Sequence, residues 1–152
     1  TGMYYDYDFV NNRRSDVVSA AVFSLMYARV ISKKDAKELM AALDYLECDY
    51  GIANCEEGDY PYTYQWSYPN GWAPTHYLTI AGLDNYGFRK DARRIASKYL
   101  HVVTQTFQET HNLWEKYNVV EGNVNVNNEY EMPTRIGWTA GTFLWAAKYM
   151  NR

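Results

Sequence analysis

The apolar residues of this chain recur at helical spacing in five separate stretches. Leucines at positions 39, 43 and 46 form one stripe, with lysines and acidic residues between them. That spacing predicts a helix with one buried face. The predicted helices cover residues 16–31, 34–48, 75–86, 89–109 and 138–150. Those at 34–48 and 89–109 have a single apolar stripe, whereas the other three are apolar on several sides, which indicates burial against more than one neighbour.

The ends of these stretches carry capping and stop residues. Ser15, Ser32 and Thr75 precede predicted helices, and each can accept a hydrogen bond from the first turn. Asp35 resembles the acidic member of a capping box that begins at Ser32, and Gly87 can end the third helix. The first two helices are predicted to form an antiparallel hairpin, and the alternation of inner and outer helices repeats after it. No strand is predicted, so the expected fold class is all-α.

Two long polar loops, residues 51–74 and 110–136, interrupt the helices, and loops of that length inside a domain are usually functional. The first ends in Gln-Trp-Ser-Tyr-Pro-Asn-Gly-Trp-Ala-Pro, and tyrosines stand close by at positions 60, 62, 64 and 68. Rings clustered on a loop need a cover. Flat rings suit the C–H faces of a sugar, and Gln65 and Asn70 can bond to its hydroxyls. The same rings can instead plug the loop onto the core, and composition leaves both interpretations open.

Composition narrows the classes of function. Hydrophobic residues make up 47% of the chain and charged residues 22%, which is typical of a globular domain. Aromatic residues reach 17%, including 16 tyrosines, which suits either polyol binding or an aromatic core. The net charge of -3 provides no basic surface for nucleic acid. No apolar run is long enough to span a membrane.

The residues that could bind a metal are scattered along the sequence. His76, His101 and His111 show no ligand spacing. Cys48 and Cys55 are close enough to bridge across a loop, but two free thiols in a reducing compartment are favoured, which favours the cytoplasm. We therefore expect neither a metal site nor a cofactor.

Three blocks of residues resemble the trehalase family of glycoside hydrolases. Residues 65–74 match the family signature Gln-Trp-Asp-x-Pro-x-x-Trp-x-Pro at every fixed position except one, where Ser67 stands for Asp. Residues 114–118, Trp-Glu-Lys-Tyr-Asn, resemble its Glu-Lys-Tyr block. Residues 128–130 and 136–141 resemble its Gly-rich Glu-Tyr block and its Gly-Trp-Thr-Asn-Gly block. The blocks follow one another in the family's order.

The resemblance implies a fold. Trehalases adopt an (α/α)6 toroid, and residues 1–152 would supply helical hairpins that form about half of it, as the carboxy-terminal portion of the catalytic domain. The family's first signature and its catalytic aspartate would both lie before Thr1. Asp6 and Asp8 belong to an Asp-Tyr-Asp stretch similar to one in trehalases, and we expect them to order a loop rather than to catalyse.

The resemblance also implies catalytic residues. Trehalases invert configuration with two carboxyl groups, and Glu115 aligns with their general base. Glu129 aligns with a second carboxylate, which holds substrate hydroxyls. The residues alone also allow plainer roles, in which Glu115 is a solvated partner of Lys116 and Glu129 is a partner of Arg135.

The remaining site residues come from the aromatic blocks. By the resemblance, Gln65 and Trp66 line the sugar site, and Asn70 is close enough to contribute a hydrogen bond. Trp72 and Trp138 are either direct sugar contacts or supporting packing.

The leading hypothesis is an inverting trehalase-like glycosidase that converts α,α-trehalose to glucose, with its general acid outside this chain. One alternative is a related α-glucosidase or mannosidase of the same clan, and another is a catalytically silent sugar-binding fragment. Ser67 for Asp, Ala140 for Asn and an Asn-rich run at 123–128 in place of glycines depart from the family pattern. An upstream segment with the family's acidic block would favour an enzyme over a silent module.

The expected partners follow from an incomplete toroid. Besides a disaccharide substrate, the apolar sides of the helices at 16–31 and 138–150 need a cover. We expect either the amino-terminal half of the toroid or self-association to provide it.

Overall fold

The computed structural model describes residues 3–59, 64–126 and 128–152. Within these ranges the chain forms six α-helices. They are α1 (Phe23–Tyr27), α2 (Lys33–Leu39), α3 (Leu43–Leu46), α4 (Ala73–Asn85), α5 (Arg89–Thr110) and α6 (Gly137–Met150). The predicted helices at 75–86, 89–109 and 138–150 are confirmed to within two residues. No helix of the described residues is both long enough and apolar enough to cross a membrane.

The helix predicted at residues 16–31 is largely wrong. Its first helical turn is a 3-10 turn, Ala20–Val22, that leads into the short α1, and Ser19 rather than Ser15 caps it by accepting a hydrogen bond from the Ala21 amide. The preceding residues run extended against residues 54–56. The Val18 amide donates to a Glu56 carboxylate oxygen at 2.7 Å. A tertiary pairing has therefore overridden the local helical pattern.

The second predicted helix is confirmed, with one interruption. The Asp35 amide donates to Ser32 Oγ at 3.1 Å, which confirms the cap. A 3-10 turn, Met40–Ala42, separates α2 from α3. The helix ends at Leu46 rather than at residue 48, because the chain turns back there into a short strand pair.

The expectation of no strands is wrong, because the described residues form three short antiparallel pairs. They are β1 (Tyr7–Asp8) with β2 (Arg13–Arg14), β3 (Glu47–Cys48) with β4 (Gly51–Ile52), and β5 (Asn70–Trp72) with β6 (Lys116–Asn118). Strands of two or three residues are too short to produce a visible alternation. The last pair joins the two long loops to each other.

The helices pack around α4, which contacts α1, α5 and α6. Gly82 of α4 permits the close approach of α1, because a Cβ atom there would lie 2.9 Å from the Phe23 carbonyl oxygen. The most extensive helical contacts of α1 are thus with α4, and the expected hairpin of the first two helices is not the main packing unit. Helix α5 buries one stripe, as predicted. The stripe consists of Ala92, Ile95, Tyr99, Val102 and Thr106.

The predicted cap at Thr75 is wrong, because helix α4 already begins at Ala73. Trp72 is the extended residue before the helix, and Pro74 lies within the first turn. Proline is favoured at that position because its missing N–H would have no partner in the helix. The aromatic loop therefore runs directly from β5 into α4.

Candidate active site

The antiparallel pair β5–β6 brings the two long loops together. Its register sets Trp72 opposite Lys116 and Gly71 opposite Tyr117. Glu115 comes immediately before β6, so the aromatic block and the Glu-Lys-Tyr block form one wall. The sequence resemblance names both blocks, but only the strand pair explains their contact.

The buried side chain of His76 supports this strand pair through a hydrogen bond to its backbone. Its Nε2 accepts the Ile52 amide at 2.9 Å, and Nδ1 lies 2.8 Å from the Trp72 carbonyl oxygen, to which it donates. Burial lowers the pKa of His76 to about 4, so the ring is neutral at physiological pH. A Cβ atom on Gly71 would lie only 2.6 Å from the Ile52 carbonyl oxygen. His76 therefore fixes the backbone at Trp72, a role that the sequence did not indicate.

Glu115 is buried, with 6% of its surface exposed. Its Oε2 atom accepts a hydrogen bond from the Tyr130 hydroxyl at 2.7 Å. The same oxygen lies 3.1 Å from Lys116 Nζ. The predicted alternative of a pair with Lys116 is therefore present, but the pair is buried rather than solvated.

Lys116 is fully buried, which is unusual for a lysine. Its ammonium group lies 4.9 Å from the centre of the Trp72 ring and 5.2 Å from that of Tyr130. Two ring faces and the Glu115 carboxylate thus surround the cation and offset its loss of hydration. The resemblance named Lys116 only as part of a motif, and nothing in the sequence indicated its burial.

Tyr130 closes the other side of the carboxylate. Burial and the neighbouring Glu115 carboxylate raise the pKa of Tyr130 to about 12. The hydroxyl therefore keeps its proton at neutral pH and acts as a donor. This contact was not predicted, because Tyr130 belongs to a loop whose position the sequence pattern does not determine.

Three tryptophans form a continuous aromatic cluster. Trp66 stacks on Trp72 with ring centres 3.9 Å apart and planes 10° apart. Trp138 meets Trp72 edge-on at 5.7 Å. Trp72 is 2% exposed, whereas Trp66 is 48% exposed. Trp72 is therefore packing within the wall, whereas about half of the Trp66 surface stays exposed.

Gln65 and Asn70 shape the aromatic loop. The Gln65 carbonyl oxygen accepts hydrogen bonds from Asn70 Nδ2 and from Trp72 Nε1, both at 2.9 Å. Asn70 is fully buried, so its amide nitrogen orders the loop. The side-chain amide of Gln65 lies near the Tyr130 hydroxyl, where it acts to lower the pKa of Tyr130. Its Oε1 atom is buried and has no partner among the described residues.

Glu129 lies at the rim of this group. It is exposed, and its Oε2 atom is 3.4 Å from the Gln65 amide. No ion pair joins Glu129 to Arg135 in the part of the chain that the structure describes. The recorded partner of Glu129 is thus the aromatic loop, and the alternative pair with Arg135 is not present among the described residues.

A cleft of about 340 Å³ opens beside Trp66, at the start of α1 and α4. Its walls include Trp66 and Asn54, and both side-chain polar atoms of Asn54 are buried without a partner among the described residues. Unsatisfied buried amides are rare and are often associated with a ligand or water. Sequence reasoning did not indicate Asn54, because a single asparagine in a loop carries no signal. Tyr60 and Tyr62, expected near this loop, lie outside the described residues.

The arrangement supplies a buried carboxylate beside an aromatic surface. An ionised carboxylate can accept a proton from water, and an aromatic face can bind the C–H face of a sugar. Among residues 3–59, 64–126 and 128–152, no group of three or more histidine, cysteine or acidic side chains is placed to hold a metal ion. Cys48 and Cys55 are both free thiols.

A profile of the trehalase family matches residues 1–151. The chain belongs to the trehalase family. It is 33% identical to a probable trehalase of Eremothecium gossypii, over 99% of this chain and 23% of that protein. The chain spans about a quarter of the length of the curated relatives it matches.

Solved structures place the chain in the (α/α)6 toroid fold. A neutral trehalase from Saccharomyces cerevisiae matches with a TM-score of 0.83 and 30% identity, over 99% of this chain and 27% of that one. A mannosylglycerate hydrolase from Thermus thermophilus, solved with glucose, matches with a TM-score of 0.73 and 17% identity, over 99% and 35% of the two chains. The second match concerns the fold alone. The all-α prediction and the assignment to part of a toroid are both confirmed.

Two departures from the trehalase-family pattern have a clear structural setting. Ser67 is buried in the turn of the aromatic loop, where its carbonyl oxygen accepts a hydrogen bond from the backbone N–H of Asn70 at 3.0 Å. In the Asn-rich run, Asn118 Nδ2 donates to the Asn125 carbonyl oxygen, and Asn123 Oδ1 accepts the Asn125 amide. Side-chain hydrogen bonds thus hold the loop that carries glycines in the family. Lower pliancy of this loop stays a prediction.

Proposed function

We propose that this chain is the carboxy-terminal portion of an (α/α)6 catalytic domain that hydrolyses α,α-trehalose to glucose with inversion. The observation that carries the proposal is the buried Glu115 carboxylate, held by Lys116 and Tyr130 beside the aromatic wall. A buried charged group is costly unless it is paired, so such groups concentrate at functional sites. Membership of the trehalase family supports the choice of reaction.

Glu115 is the general base in this proposal. In an inverting glycosidase a carboxylate removes a proton from water while an acid protonates the leaving oxygen, and the two carboxyl groups lie roughly 6.5–9.5 Å apart. The described residues offer Glu115 as the buried carboxylate of the site. The acid comes from a part of the protein outside this chain.

The sugar binds against the exposed ring of Trp66. The exposed Glu129 carboxylate supplies acceptors for hydroxyl groups, and Gln65, whose Oε1 atom is buried, lines the site beside it. Trp138, which is partly exposed, borders the same wall. Trp72 and Asn70 act indirectly, since both are buried and hold the loop in position.

The rest of the toroid is the expected macromolecular partner. An open apolar groove of about 540 Å³ runs between α5 and α6. Its lining is Val103, Thr104, Phe107, Gln108, Leu113, Ala140, Phe143 and Leu144. An apolar surface of this kind on a soluble protein marks an interface. We assign it to the amino-terminal half of the toroid, with self-association as the alternative when that half is absent.

The proposal is tested in the full-length gene product by replacing Glu115 with Gln. Removal of a general base lowers turnover by about 100- to 10,000-fold, and trehalose binding should persist because the amide keeps the shape of the side chain. Glucose release and isothermal titration measure the two effects. Glu131→Gln, a change at an exposed glutamate on the Tyr130 loop, is the matched control and should retain turnover. Near wild-type turnover in Glu115→Gln would overturn the assignment.

A panel of α-linked disaccharides separates the candidate functions. Inverting hydrolysis of α,α-trehalose releases one α-glucose and one β-glucose, which proton NMR resolves before the anomers equilibrate. Release of α-glucose alone would contradict inversion. Hydrolysis of another α-linked sugar in place of trehalose would identify a related glucosidase or mannosidase. Glucose binding without hydrolysis of any substrate would identify a silent sugar-binding protein.

A further inference from the structure

Both recorded hydrogen bonds to the Glu115 carboxylate end on one oxygen. Lys116 Nζ lies 3.1 Å from Oε2, and the Tyr130 hydroxyl lies 2.7 Å from the same atom. Neither group bonds to Oε1. The two oxygens of this carboxylate therefore have different surroundings within the described residues.

We propose that Lys116 and Tyr130 are positioning residues that hold Oε2, so that Oε1 is the oxygen that takes the proton from the attacking water. This inference rests on the proposed function of Glu115 as the base. In the step, the water oxygen forms its bond to the anomeric carbon as the glycosidic bond breaks. The water proton passes to Oε1, and the leaving oxygen takes a proton from the acid that the rest of the domain supplies.

The burial of Lys116 favours this role over a purely structural one. A buried lysine loses its hydration, and an apolar side chain of similar volume fills such a position at lower cost. Lys116 is instead held by two ring faces and one carboxylate. The ammonium group holds one oxygen of the Glu115 carboxylate and therefore helps to fix the orientation of the base.

Tyr130 acts in the same direction. Its hydroxyl donates to the same Oε2 atom at 2.7 Å, so two donors from separate segments fix the orientation of the carboxylate.

The charged and titratable groups near Glu115 come from two segments. Lys116 lies on β6, and Tyr130 and Glu129 lie on the following loop. The aromatic loop and β5 face the site with Gln65 and Trp72, which do not titrate. Glu129 carries a charge opposite to that of Lys116. Because Glu129 is exposed, solvent and salt screen its charge, and its effect on Glu115 is weaker than that of Lys116.

Lys116→Met and Tyr130→Phe in the full-length protein test the inference. At neutral pH we expect kcat to fall roughly 10-fold or more in each, because each change removes a hydrogen bond to a charged group, while KM changes little. Trehalose binding measured by isothermal titration should persist in each variant. Lys116→Arg, which keeps the charge and the donor beside Oε2, should restore part of the lost kcat.

The controls are Lys148→Met and Tyr45→Phe, which make the same chemical changes at exposed positions. Both should keep the wild-type kcat and KM. Circular dichroism checks the fold of every variant. If Lys116→Met does not fold, Tyr130→Phe decides alone, because it removes one oxygen atom from a partly exposed side chain.

A wild-type kcat in folded Tyr130→Phe would overturn the inference, and so would a rise in KM with kcat unchanged. That result is distinct from a failure of the proposed function, in which Glu115→Gln itself would keep its turnover. An inactive Glu115→Gln protein together with wild-type kcat in folded Tyr130→Phe would thus reject the positioning role and retain the base.

Discussion

Trp72 contacts both parts of the site, which are the aromatic loop and the pair formed by Glu115 and Lys116. Its ring lies between the Trp66 ring and the Lys116 ammonium group, and its indole nitrogen bonds to the Gln65 carbonyl oxygen. Its own backbone is fixed by His76. One buried side chain therefore orients both the exposed ring and the cation beside Glu115.

The exposed ring of Trp66 leads to a prediction about affinity. Trp66→Ala in the full-length protein should weaken binding of glucose or trehalose by about 1–3 kcal/mol, because an aromatic anchor is lost. The change should raise KM more than it lowers kcat. Titration followed by tryptophan fluorescence measures the dissociation constant.

Trp66→Phe is the matched control for that change. It keeps a flat apolar face against Trp72, so it should retain most of the affinity. Unchanged affinity in a folded Trp66→Ala protein would mean that the ring only covers Trp72.

A motif names several of the candidate site residues, and the structure places those residues in or beside one aromatic wall. Glu115, Trp66 and Glu129 stand in blocks of recognisable residues. Their surroundings were not predictable, because Lys116 is buried by rings from separate segments. Asn54 gave no signal for the same reason, since its position beside Trp66 depends on tertiary packing.

At the scale of elements, long helices were predicted and short strands were not. Helix α5 has enough turns for its stripe to repeat, so its bounds were nearly correct. The pair β5–β6 has three residues on each strand, and its register depends on two loops that are distant in sequence. The prediction of a helix at residues 16–31 was wrong for a related reason. Pairing with residues 54–56 competed with local propensity and prevailed.

The contact between β3 and α5 predicts how stability depends on pH. Glu47 accepts hydrogen bonds from Arg94 Nε at 2.8 Å and from Lys98 Nζ at 2.7 Å. Burial acts to raise the pKa of Glu47, but these two cations outweigh it and the pKa is lowered from 4.5. The contact therefore stabilises the fold fully above about pH 4.5, and its contribution is lost as the pH falls below that value.

Glu47→Gln measures this contribution. At pH 7 we expect the thermal midpoint of the full-length protein to fall by about 1 °C, because a contact worth about 1 kcal/mol is spread over a protein about four times the length of this chain. The difference from the wild type should shrink as the pH is lowered from 5 to 3. Glu38→Gln, at an exposed glutamate paired with Lys34 within α2, is the control and should change the midpoint little at either pH. A Glu47→Gln difference that stays constant down to pH 3 contradicts the assignment.

At the scale of the whole molecule, the family blocks predicted the fold better than the helix count did. The helical periodicity predicted an all-α chain, but it did not predict that the helices belong to a closed toroid. The resemblance added the toroid, and the solved trehalase structure agrees over 99% of this chain. In the proposed function the general acid lies outside this chain, so no pattern within the chain could predict that residue.

The apolar surface of these 152 residues leads to the last prediction. Leu144 on α6 is 68% exposed, and the groove beside it has Phe107 and Phe143 in its lining. The start of α1 borders another open cleft, lined by Tyr5, Val22 and Leu25 among others. Two such surfaces on one small chain favour association. We therefore expect residues 1–152, produced alone, to self-associate and to release no glucose from trehalose.

Light scattering and a glucose-release assay test both parts of that expectation on the isolated chain. Leu144→Glu is the informative variant, because a charge in the groove should oppose self-association and should equally weaken docking of the rest of the toroid. Lys148→Glu changes charge on the same helix at an exposed position and serves as the control. Added amino-terminal segment should restore activity to the wild-type chain and to Lys148→Glu, but less to Leu144→Glu. A monodisperse, active monomer would contradict the prediction, since it would need a complete pair of catalytic carboxyl groups within these residues.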